Sequence, residues 1–383
     1  LTTNGGSNWT EVIDDNMWDV KFKPGAPATV YAASRNTVYQ STNTGTNWAI
    51  SGSIANSIRI ALAVTPANPN FVALVSSNSE GAFNGLYASS NSGSSYVLRS
   101  SSPNILSSSG DGSGTKGQGW YDLCITISPT NANVMYIGGV NLWKSTNGGS
   151  TWAIVNYWTG FQLPPGAQIV HADKHCLVWQ NNTTLFQGND GGIYRSTNSG
   201  TSWFDISNTL VNSQLYRIGV SQADNKILCG LQDNSTKLRN ASGVWVDALA
   251  TGDGMECAIH PTNASILYTE SYYGEISRST NSGSTWVNIQ DNIPGNPEGD
   301  WVTPFVLSPS SPATILAGYN DVYRSTNQGN SWVAISSNLS PQEKLTSLVV
   351  APSNANTIYT ANSGTIFRTT NGGSSWTNVT GDR

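Results

Sequence analysis

The chain has 383 residues and a net charge of −5, and only 11% of its residues are charged. It has no cluster of Lys and Arg, so neither nucleic acid nor an anionic membrane is an expected partner. It also lacks any apolar run close to the roughly 18 residues that a membrane helix needs, so we expect no membrane insertion. This composition favours many short strands joined by polar turns.

A short motif opens the chain and returns along its whole length. The motif is an octet, Ser/Thr-x-Asn-x-Gly-x-x-aromatic, and its first copy ends at Trp9. Further copies end at Trp48, Tyr96, Trp152, Trp203, Trp286, Trp332 and Trp376, and a degenerate copy ends at Trp245. Successive aromatic residues lie from 39 residues apart (Trp9 to Trp48) to 56 residues apart (Tyr96 to Trp152), a spacing typical of β-propeller blades.

Each residue type of the octet has a physical role in a tight turn. The Asn side chain is expected to accept hydrogen bonds from turn amides two residues further on. Gly permits a positive φ, and the Ser or Thr hydroxyl can bond another backbone group. The aromatic side chain is expected to be buried between strands, where it anchors the hairpin.

Four β-rich runs accompany each octet. In the third repeat they read YDLCITISP, VMYIGG, NLWKST and TWAIV, separated by Pro, Asn and Gly. Eight repeats are complete, so the sequence predicts an all-β protein with one closed, eight-bladed β-propeller over residues 14–383 and almost no helix. Residues 1–13 are predicted to be the third-to-fourth-strand hairpin of a partial blade. This hairpin is expected to pack against the outer edge of the eighth blade or to continue an upstream segment.

The octets resemble the Asp-box repeats, also called bacterial neuraminidase repeats, of sialidases, xyloglucan-cleaving propellers and sortilin-type receptors. Asn stands where those repeats usually have Asp. Other runs are similar to secreted Asp-box propellers of Bacteroidetes-type bacteria: GQGWYD (117–122), HADKH (171–175), GNDGG (188–192), GLQDN (230–234) and GDGM (252–255). The resemblance implies a propeller fold and an extracellular or cell-surface location. It is a weak guide to activity, because one fold supports many functions.

Unusual polar residues concentrate on one predicted face of the propeller. The loops that enter each blade and the loops between its second and third strands open on this face, and the octets open on the other. Insertions at 101–119, 156–170 and 291–301 also fall on it. The predicted binding residues are Trp120, Asp122, His171, Asp173, His175, Asp190, Asp233, Asp253 and Tyr272. We expect them to line one depression, since rigid scaffolds carry their functional groups on loops.

One pentad in this set could hold a divalent metal ion. In an extended strand His171, Asp173 and His175 would share one side, because side chains alternate with a period of two. Two imidazoles and a carboxylate are suitable ligands. The alternative is a hydrogen-bonded structural cluster in which Asp173 orients a histidine. We expect the protein to require no cofactor, and a divalent metal at this pentad is the one candidate.

Two functions fit this predicted site. The first is a secreted or cell-surface module that binds glycan or protein partners without catalysis. The second is a glycoside hydrolase, which would need two carboxylates about 5–5.5 Å apart for retention or 6.5–9.5 Å apart for inversion. The candidate carboxylates are Asp173, Asp190, Asp233 and Asp253.

The four cysteines, Cys124, Cys176, Cys229 and Cys257, all lie in apolar strand patterns. Their spacing matches no zinc motif and no disulfide-rich domain. We therefore expect buried free thiols. A bridge between Cys229 and Cys257 is the alternative.

Overall fold

The computed structural model describes residues 1–159, 163–210, 213–249 and 252–381. Its strands form eight antiparallel meanders, in each of which four strands pair in chain order, and we call each meander a blade. The predicted all-β fold with eight four-stranded repeats is thus confirmed, and closure into a ring stays a prediction. Residues 160–162 of the predicted insertion, and residues 211–212, 250–251 and 382–383 of the predicted domain, lie outside the described residues.

The chain divides into two compact units, residues 1–211 and residues 212–383. In the first unit, blade 1 has β1 (Asp19–Phe22), β2 (Val30–Ala33), β3 (Thr37–Ser41) and β4 (Ala49–Ser53). Blade 2 has β5 (Arg59–Val64), β6 (Val72–Ser77), β7 (Phe83–Ser89) and β8 (Val97–Ser100). Blade 3 has β9 (Cys124–Ile127), β10 (Met135–Gly138), β11 (Leu142–Ser145) and β12 (Ala153–Tyr157), with the short β13 (Gln168–Ile169) parallel to β12. Blade 4 has β14 (Lys174–Trp179), β15 (Leu185–Asn189), β16 (Gly192–Ser196) and β17 (Phe204–Asp205).

The second unit repeats this arrangement. Blade 5 has β18 (Leu215–Val220), β19 (Ile227–Leu231), β20 (Thr236–Arg239) and β21 (Trp245–Leu249). Blade 6 has β22 (Cys257–Ile259), β23 (Leu267–Ser271), β24 (Glu275–Ser279) and β25 (Val287–Asn288). Blade 7 has β26 (Phe305–Ser308), β27 (Ser311–Gly318), β28 (Val322–Ser325) and β29 (Val333–Ala334). Blade 8 has β30 (Ser347–Val350), β31 (Ile358–Ala361), β32 (Ile366–Thr369) and β33 (Thr377–Asn378).

Helical structure is confined to short turns. The described residues contain no α-helix and three 3₁₀ helices, which are Ser207–Thr209, Tyr272–Gly274 and Gln290–Asn292. None of the helices in the described part of the chain has the length and apolar character needed to span a membrane.

The octet of blade 3 shows how the repeated turn is held. The Ser145 hydroxyl accepts the N–H of Gly149 at 2.9 Å and donates to Asn147 Oδ1 at 3.0 Å. Asn147 Oδ1 also accepts the N–H of Thr151 at 3.0 Å, and the Asn147 amide donates to the Thr151 hydroxyl at 2.8 Å. The predicted role of Ser is confirmed. The predicted role of Asn is wrong in its spacing, because the chain reverses through Gly149, at φ +83°, and brings the amide four residues on to Asn147.

The residue between Asn and Gly in the octet links neighbouring blades. In eight octets its φ lies between +53° and +69°, and in five of them its carbonyl faces the preceding blade. That carbonyl accepts a hydrogen bond from a side chain of the preceding blade. The bonds run from Tyr31 to Ser92 (3.2 Å), Arg99 to Gly148 (3.2 Å), Tyr136 to Ser199 (2.6 Å), Arg278 to Gln328 (2.6 Å) and Arg324 to Gly372 (3.2 Å).

Buried apolar side chains fill the spaces between neighbouring blades within each unit. The cluster between blades 3 and 4, for example, contains Tyr136, Leu177 and Trp203. Similar clusters lie between blades 1 and 2, 2 and 3, 5 and 6, 6 and 7, and 7 and 8. This burial is the main source of stability, at roughly 25 cal/mol per Å² of apolar surface removed from water.

The prediction that the octet aromatics are buried is only partly correct. Trp203 and Trp332 are buried, whereas Trp9 is 73% exposed and Trp245 is 51% exposed. In the degenerate octet the Gly is shifted by one position, to Gly243, and Trp245 becomes the first residue of β21 with its side chain toward solvent. Trp9 belongs to a segment without strands that could cover it.

The N-terminal segment is closed by two backbone hydrogen bonds between Leu1 and Thr10, at 2.7 and 2.8 Å. No strand is assigned in residues 1–18. The segment lies beside blade 1, where Leu1 and Ile13 share an apolar cavity of about 430 Å³ with Trp48. The predicted partial blade and its place at the edge of the eighth blade stay predictions.

All four cysteines are free thiols, as predicted, and no bridge joins Cys229 to Cys257. The prediction that all four are buried is wrong for Cys176, which is exposed. The register of β14 against β15 shifts between Lys174 and Cys176. This irregularity breaks the alternation, so that His175 and Cys176 are both exposed.

Candidate functional site

The predicted residues of the first unit meet where the chain enters blades 3 and 4. The insertion 101–119 before β9 is followed by Trp120, Tyr121 and Asp122. Arg59 Nη1 fixes this end by donating to the carbonyls of Trp120, at 3.1 Å, and Tyr121, at 2.6 Å. The indole of Trp120 remains 57% exposed and lies 5.8 Å from the ring of Tyr121, measured between ring centres.

Asp190 accepts hydrogen bonds on both carboxylate oxygens. The Tyr121 hydroxyl donates to Oδ2 at 2.7 Å, and His175 Nε2 lies 2.7 Å from Oδ1. The rings of Tyr121 and His175 meet edge to face, with centres 4.9 Å apart. Gly191 is required beside them, because a Cβ at this position would overlap the ring of His171. The turn GNDGG thus places Asp190 between a hydroxyl and an imidazole.

Two more carboxyls, those of Asp122 and Asp173, are more deeply buried. The side-chain amide of Gln118 donates to Asp173 Oδ1 and lies 3.4 Å from Asp122 Oδ2. Asp122 is fully buried and Asp173 nearly so. Beneath them Lys174 is also buried, and its ammonium group donates to the carbonyl of Val140 at 2.6 Å.

Burial shifts the pKa of each of these groups. Loss of solvent raises the pKa of Asp122 to about 9, and the neighbouring charge of Asp173 adds to the shift. Burial likewise raises the pKa of Asp173, with the charge of Asp190 as a second cause. Burial lowers the pKa of Lys174 to about 7, against the attraction of Asp122 and Asp173. Asp122 therefore holds a proton at neutral pH.

Asp173 and Asp190 approach each other from different environments. One oxygen of each lies within 4.8 Å of the other. Burial raises the pKa of Asp173 and favours its neutral form, whereas the oxygens of Asp190 contact the Tyr121 hydroxyl and His175 Nε2. Two neighbouring carboxyls in different environments are a common arrangement of acid and base in active sites.

Two predictions about these residues are wrong. Asp122 and Asp173 are buried rather than exposed on the loop face, because the insertion that ends in Gln118 covers them. His171, Asp173 and His175 do not share one side of a strand. The φ of Asp173 is +61°, which interrupts the extended backbone, so Asp173 bonds to Gln118 while His175 turns outward to Asp190.

In the second unit the structure brings Asp233 and Asp253 together. Asp253 Oδ1 accepts the N–H of Asp233 at 2.6 Å, and φ at Asp233 is +58°. Asp253 is buried, so its predicted exposure is wrong, because its carboxylate is used to hold this turn. A Cβ on the neighbouring Gly252 would lie 3.5 Å from the ring of Tyr272, which places this turn beside that aromatic side chain.

Tyr272 belongs to an aromatic cluster that the sequence did not predict. Its ring stacks on Trp301 with centres 5.3 Å apart and an angle of 11°. Tyr273 stands at 79° to Trp301, with centres 5.2 Å apart. Trp301 Nε1 donates to the Tyr216 hydroxyl at 3.2 Å. Trp301 is the last residue of the insertion 291–301. That position was the signal in the sequence that could have predicted its place in the cluster. The single depression predicted between Trp120 and Tyr272 stays a prediction.

No family model matches the chain. A xyloglucanase of Hypocrea jecorina (strain QM6a) is 27% identical over 210 residues, which cover 43% of this chain and 25% of the relative. The chain thus spans about a quarter of the length of the curated relative that it matches.

Three solved structures are similar in arrangement. A xyloglucanase of glycoside hydrolase family 74 from Xanthomonas campestris is 15% identical, with a TM-score of 0.39 over 94% of this chain and 66% of that chain. A family 74 enzyme from Niastella koreensis is 15% identical, with a TM-score of 0.35 over 94% and 71%. YCF48 from Cyanidioschyzon merolae is 13% identical, with a TM-score of 0.29 over 80% and 92%. TM-scores this low support no conclusion beyond the sheet order described above.

Proposed function

We propose that the chain is a secreted glycoside hydrolase that acts on a polysaccharide through Asp173 and Asp190. The observation that carries this proposal is the pair of carboxyls, with oxygens within 4.8 Å, together with the burial that raises the pKa of Asp173. The exposed indole of Trp120 stands beside them, linked through Tyr121, and offers a flat apolar surface to a sugar ring.

The two carboxyls take different roles. Asp173, with its raised pKa, donates a proton to the glycosidic oxygen as the bond to the sugar breaks. Asp190 attacks the anomeric carbon and forms a glycosyl ester, which water then hydrolyses while Asp173 removes the water's proton. One oxygen of each carboxyl lies within 4.8 Å of the other, and with Asp190 as the nucleophile the reaction retains configuration.

The positions of these groups are set by their neighbours. Tyr121 and His175 hold the Asp190 carboxylate, and Gln118 holds Asp173. The curated relative supports xyloglucan as the first substrate to test, since that protein is a xyloglucanase.

The test measures reducing ends released from xyloglucan. Asp190→Asn and Asp173→Asn are expected to lower the rate by several orders of magnitude. The matched control is Asp111→Asn, which changes an exposed carboxylate in the insertion of the same unit. Activity that survives in either site variant would refute the assignment. The alkaline limit of the wild-type rate should follow deprotonation of Asp173 and lie above the usual range for Asp.

A non-catalytic binding module is the second candidate. It is favoured by the near-complete burial of Asp173 and by the hydrogen bond from Gln118 that occupies its Oδ1. In that case the wild-type protein retains a glycan or protein partner at the cell surface but releases no reducing ends.

The predicted divalent metal at His171, Asp173 and His175 also remains a proposal. It would require His175 Nε2 to leave Asp190, with which it makes a 2.7 Å contact. Stability that is unchanged by a chelator, together with no binding of Zn²⁺ or Mn²⁺ in calorimetry, would exclude it.

A further inference from the structure

The aromatic cluster of the second unit is held by more than ring contacts. It consists of Tyr216, Tyr272, Tyr273 and Trp301, which come from three separate segments of the chain. The Tyr216 hydroxyl accepts from Trp301 Nε1 and donates to Gln232 Oε1 at 3.0 Å. The polar atoms of Tyr216 and Trp301 are thus satisfied inside the protein.

A buried carboxyl ties together the backbone around the cluster. Glu270 is fully buried and accepts three backbone N–H groups. They belong to Gly274 (3.1 Å), Thr303 (2.8 Å) and Glu256 (3.2 Å). Gly274 follows the two tyrosines and Thr303 follows Trp301, so this one carboxyl fixes both aromatic segments relative to each other.

Tyr273 holds its position with a strained backbone. Its φ is +64°, a conformation that is rare for an aromatic residue. Burial does not compensate for this strain, because 44% of the residue is exposed, as is 39% of Trp301. Gly299 N–H bonds to the carbonyl of Tyr273 at 2.8 Å, which locks the strained turn against the insertion. Strain retained at an exposed side chain is typical of a binding surface.

The charge around the cluster limits the ligand. Burial raises the pKa of Tyr216, and the charges of Asp253 and Asp233 add to the shift. The nearby cation Arg217 is paired with Glu256 at 3.2 Å. Flat aromatic faces with carboxylates close by suit a neutral sugar ring, whose C–H face packs on the rings and whose hydroxyls donate to acids. An anionic sugar would meet repulsion.

We propose that Tyr272, Tyr273 and Trp301 form a saccharide-binding platform that selects neutral over acidic polysaccharide. This proposal rests on the polysaccharide ligand of the proposed function, but not on cleavage. It assigns a binding role to the aromatic cluster of the second unit.

The test measures binding of xyloglucan oligosaccharides and of polygalacturonate by calorimetry, with Asp190→Asn as the parent protein so that nothing is cleaved. Trp301→Ala is expected to weaken xyloglucan binding by about tenfold, and Tyr273→Asn by about threefold, as expected for the loss of aromatic contacts. Trp245→Ala, a change to an exposed Trp in the same unit, should bind like the parent. Polygalacturonate should not bind.

Tyr273→Asn also separates binding from folding. Asn tolerates a positive φ, so this variant should melt at the same temperature as the parent or higher. Parent-like binding by Trp301→Ala and Tyr273→Asn, or equal binding of polygalacturonate, would overturn the platform. Wild-type protein that binds through Trp301 but releases no reducing ends would instead refute only the hydrolase. Cleavage by Trp301→Ala with unchanged affinity would refute only the platform.

Discussion

Asp122 makes folding stability depend on pH. Its carboxyl has a pKa of about 9 in the folded protein, against about 3.9 in an unfolded chain. The folded state holds the proton more tightly, so the stabilising contribution is complete below about pH 4 and is lost as the pH rises through about 9. Lys174 acts in the opposite sense, because its pKa is lowered to about 7, and its contribution is lost as the pH falls through about 7.

We therefore expect Asp122→Asn to become more stable relative to the wild type as the pH rises from about 5 to about 9, since the amide has no charge to desolvate. Urea denaturation at several pH values measures this difference. The control Asp111→Asn should show a constant difference, because the pKa of Asp111 is lowered to about 2, below this range. A pH-independent difference for Asp122→Asn would contradict the buried, protonated carboxyl.

Trp203 tests the anchoring role of the octet aromatics. Its side chain is buried at 7% exposure between blades 3 and 4. Trp203→Ala is expected to cost about 3–5 kcal/mol in the free energy of unfolding, as for other large buried aromatics. Trp245→Ala, at the exposed octet position of blade 5, should stay within about 0.5 kcal/mol. Equal effects of the two changes in chemical denaturation would show that burial does not decide the role.

The sequence could predict residue types at the site better than their depth. The polar runs in the loops of blades 3 and 4 predicted the place of three site residues correctly. These residues are Trp120, His175 and Asp190. Asp122 and Asp173 are buried where Gln118 of the insertion 101–119 contacts them, and the pattern of either strand carries no information about that cover. The register shift in β14 has the same origin, since a single irregular residue is invisible in an alternating run.

At the scale of one element, the octet turn combines backbone strain with close packing. Gly149 has φ +83°, and a Cβ there would overlap the Leu86 side chain of blade 2. Gly45 occupies the same octet position with φ +81°, but the nearest atom to an added Cβ is 3.5 Å away, on Trp48. The two glycines therefore share the conformational requirement and differ in the space around them.

Gly149→Ala is expected to destabilise the protein by about 1–3 kcal/mol more than Gly45→Ala, because only the first change forces Leu86 to move. Thermal or chemical denaturation of both variants measures the difference. A similar loss in both would mean that the blade contact relaxes without a loss of stability.

The strands themselves were predictable because the octet marks the turn before the fourth strand of nearly every blade. Four β-rich runs around each octet correspond to four strands in blades 1 to 8. The short β13 was not expected, because two residues in an insertion leave no period to detect. The role of the residue between Asn and Gly was also missed, since its left-handed backbone accepts Ser, Gln and Gly alike.

At the scale of the whole molecule, the four free cysteines allow a direct test, because the thiols that react with a reagent can be counted. Cys176 is exposed, and the other three thiols are buried. Burial also raises the pKa of Cys124 and of Cys257, which suppresses their reactive thiolates.

One thiol per native molecule is therefore expected to react with a small disulfide reagent, and all four after denaturation. Cys176→Ser should abolish the native reaction. Rapid reaction of two thiols in the native protein would contradict the assignment of one exposed and three buried cysteines. Absence of reactive thiols in the protein denatured without reductant would contradict the assignment of free cysteines.

The carbonyl that five of the octets present to the blade before them has a consequence for the evolution of such chains. In five pairs of neighbouring blades, one repeat supplies the donor side chain and the next supplies the acceptor. Duplication of a whole repeat copies the acceptor at one end and the donor at the other, so the new neighbours match at once. Duplication of a fraction of a repeat leaves one partner without the other. Chains of this kind should therefore lengthen and shorten by whole repeats, and engineered insertions should follow the same step.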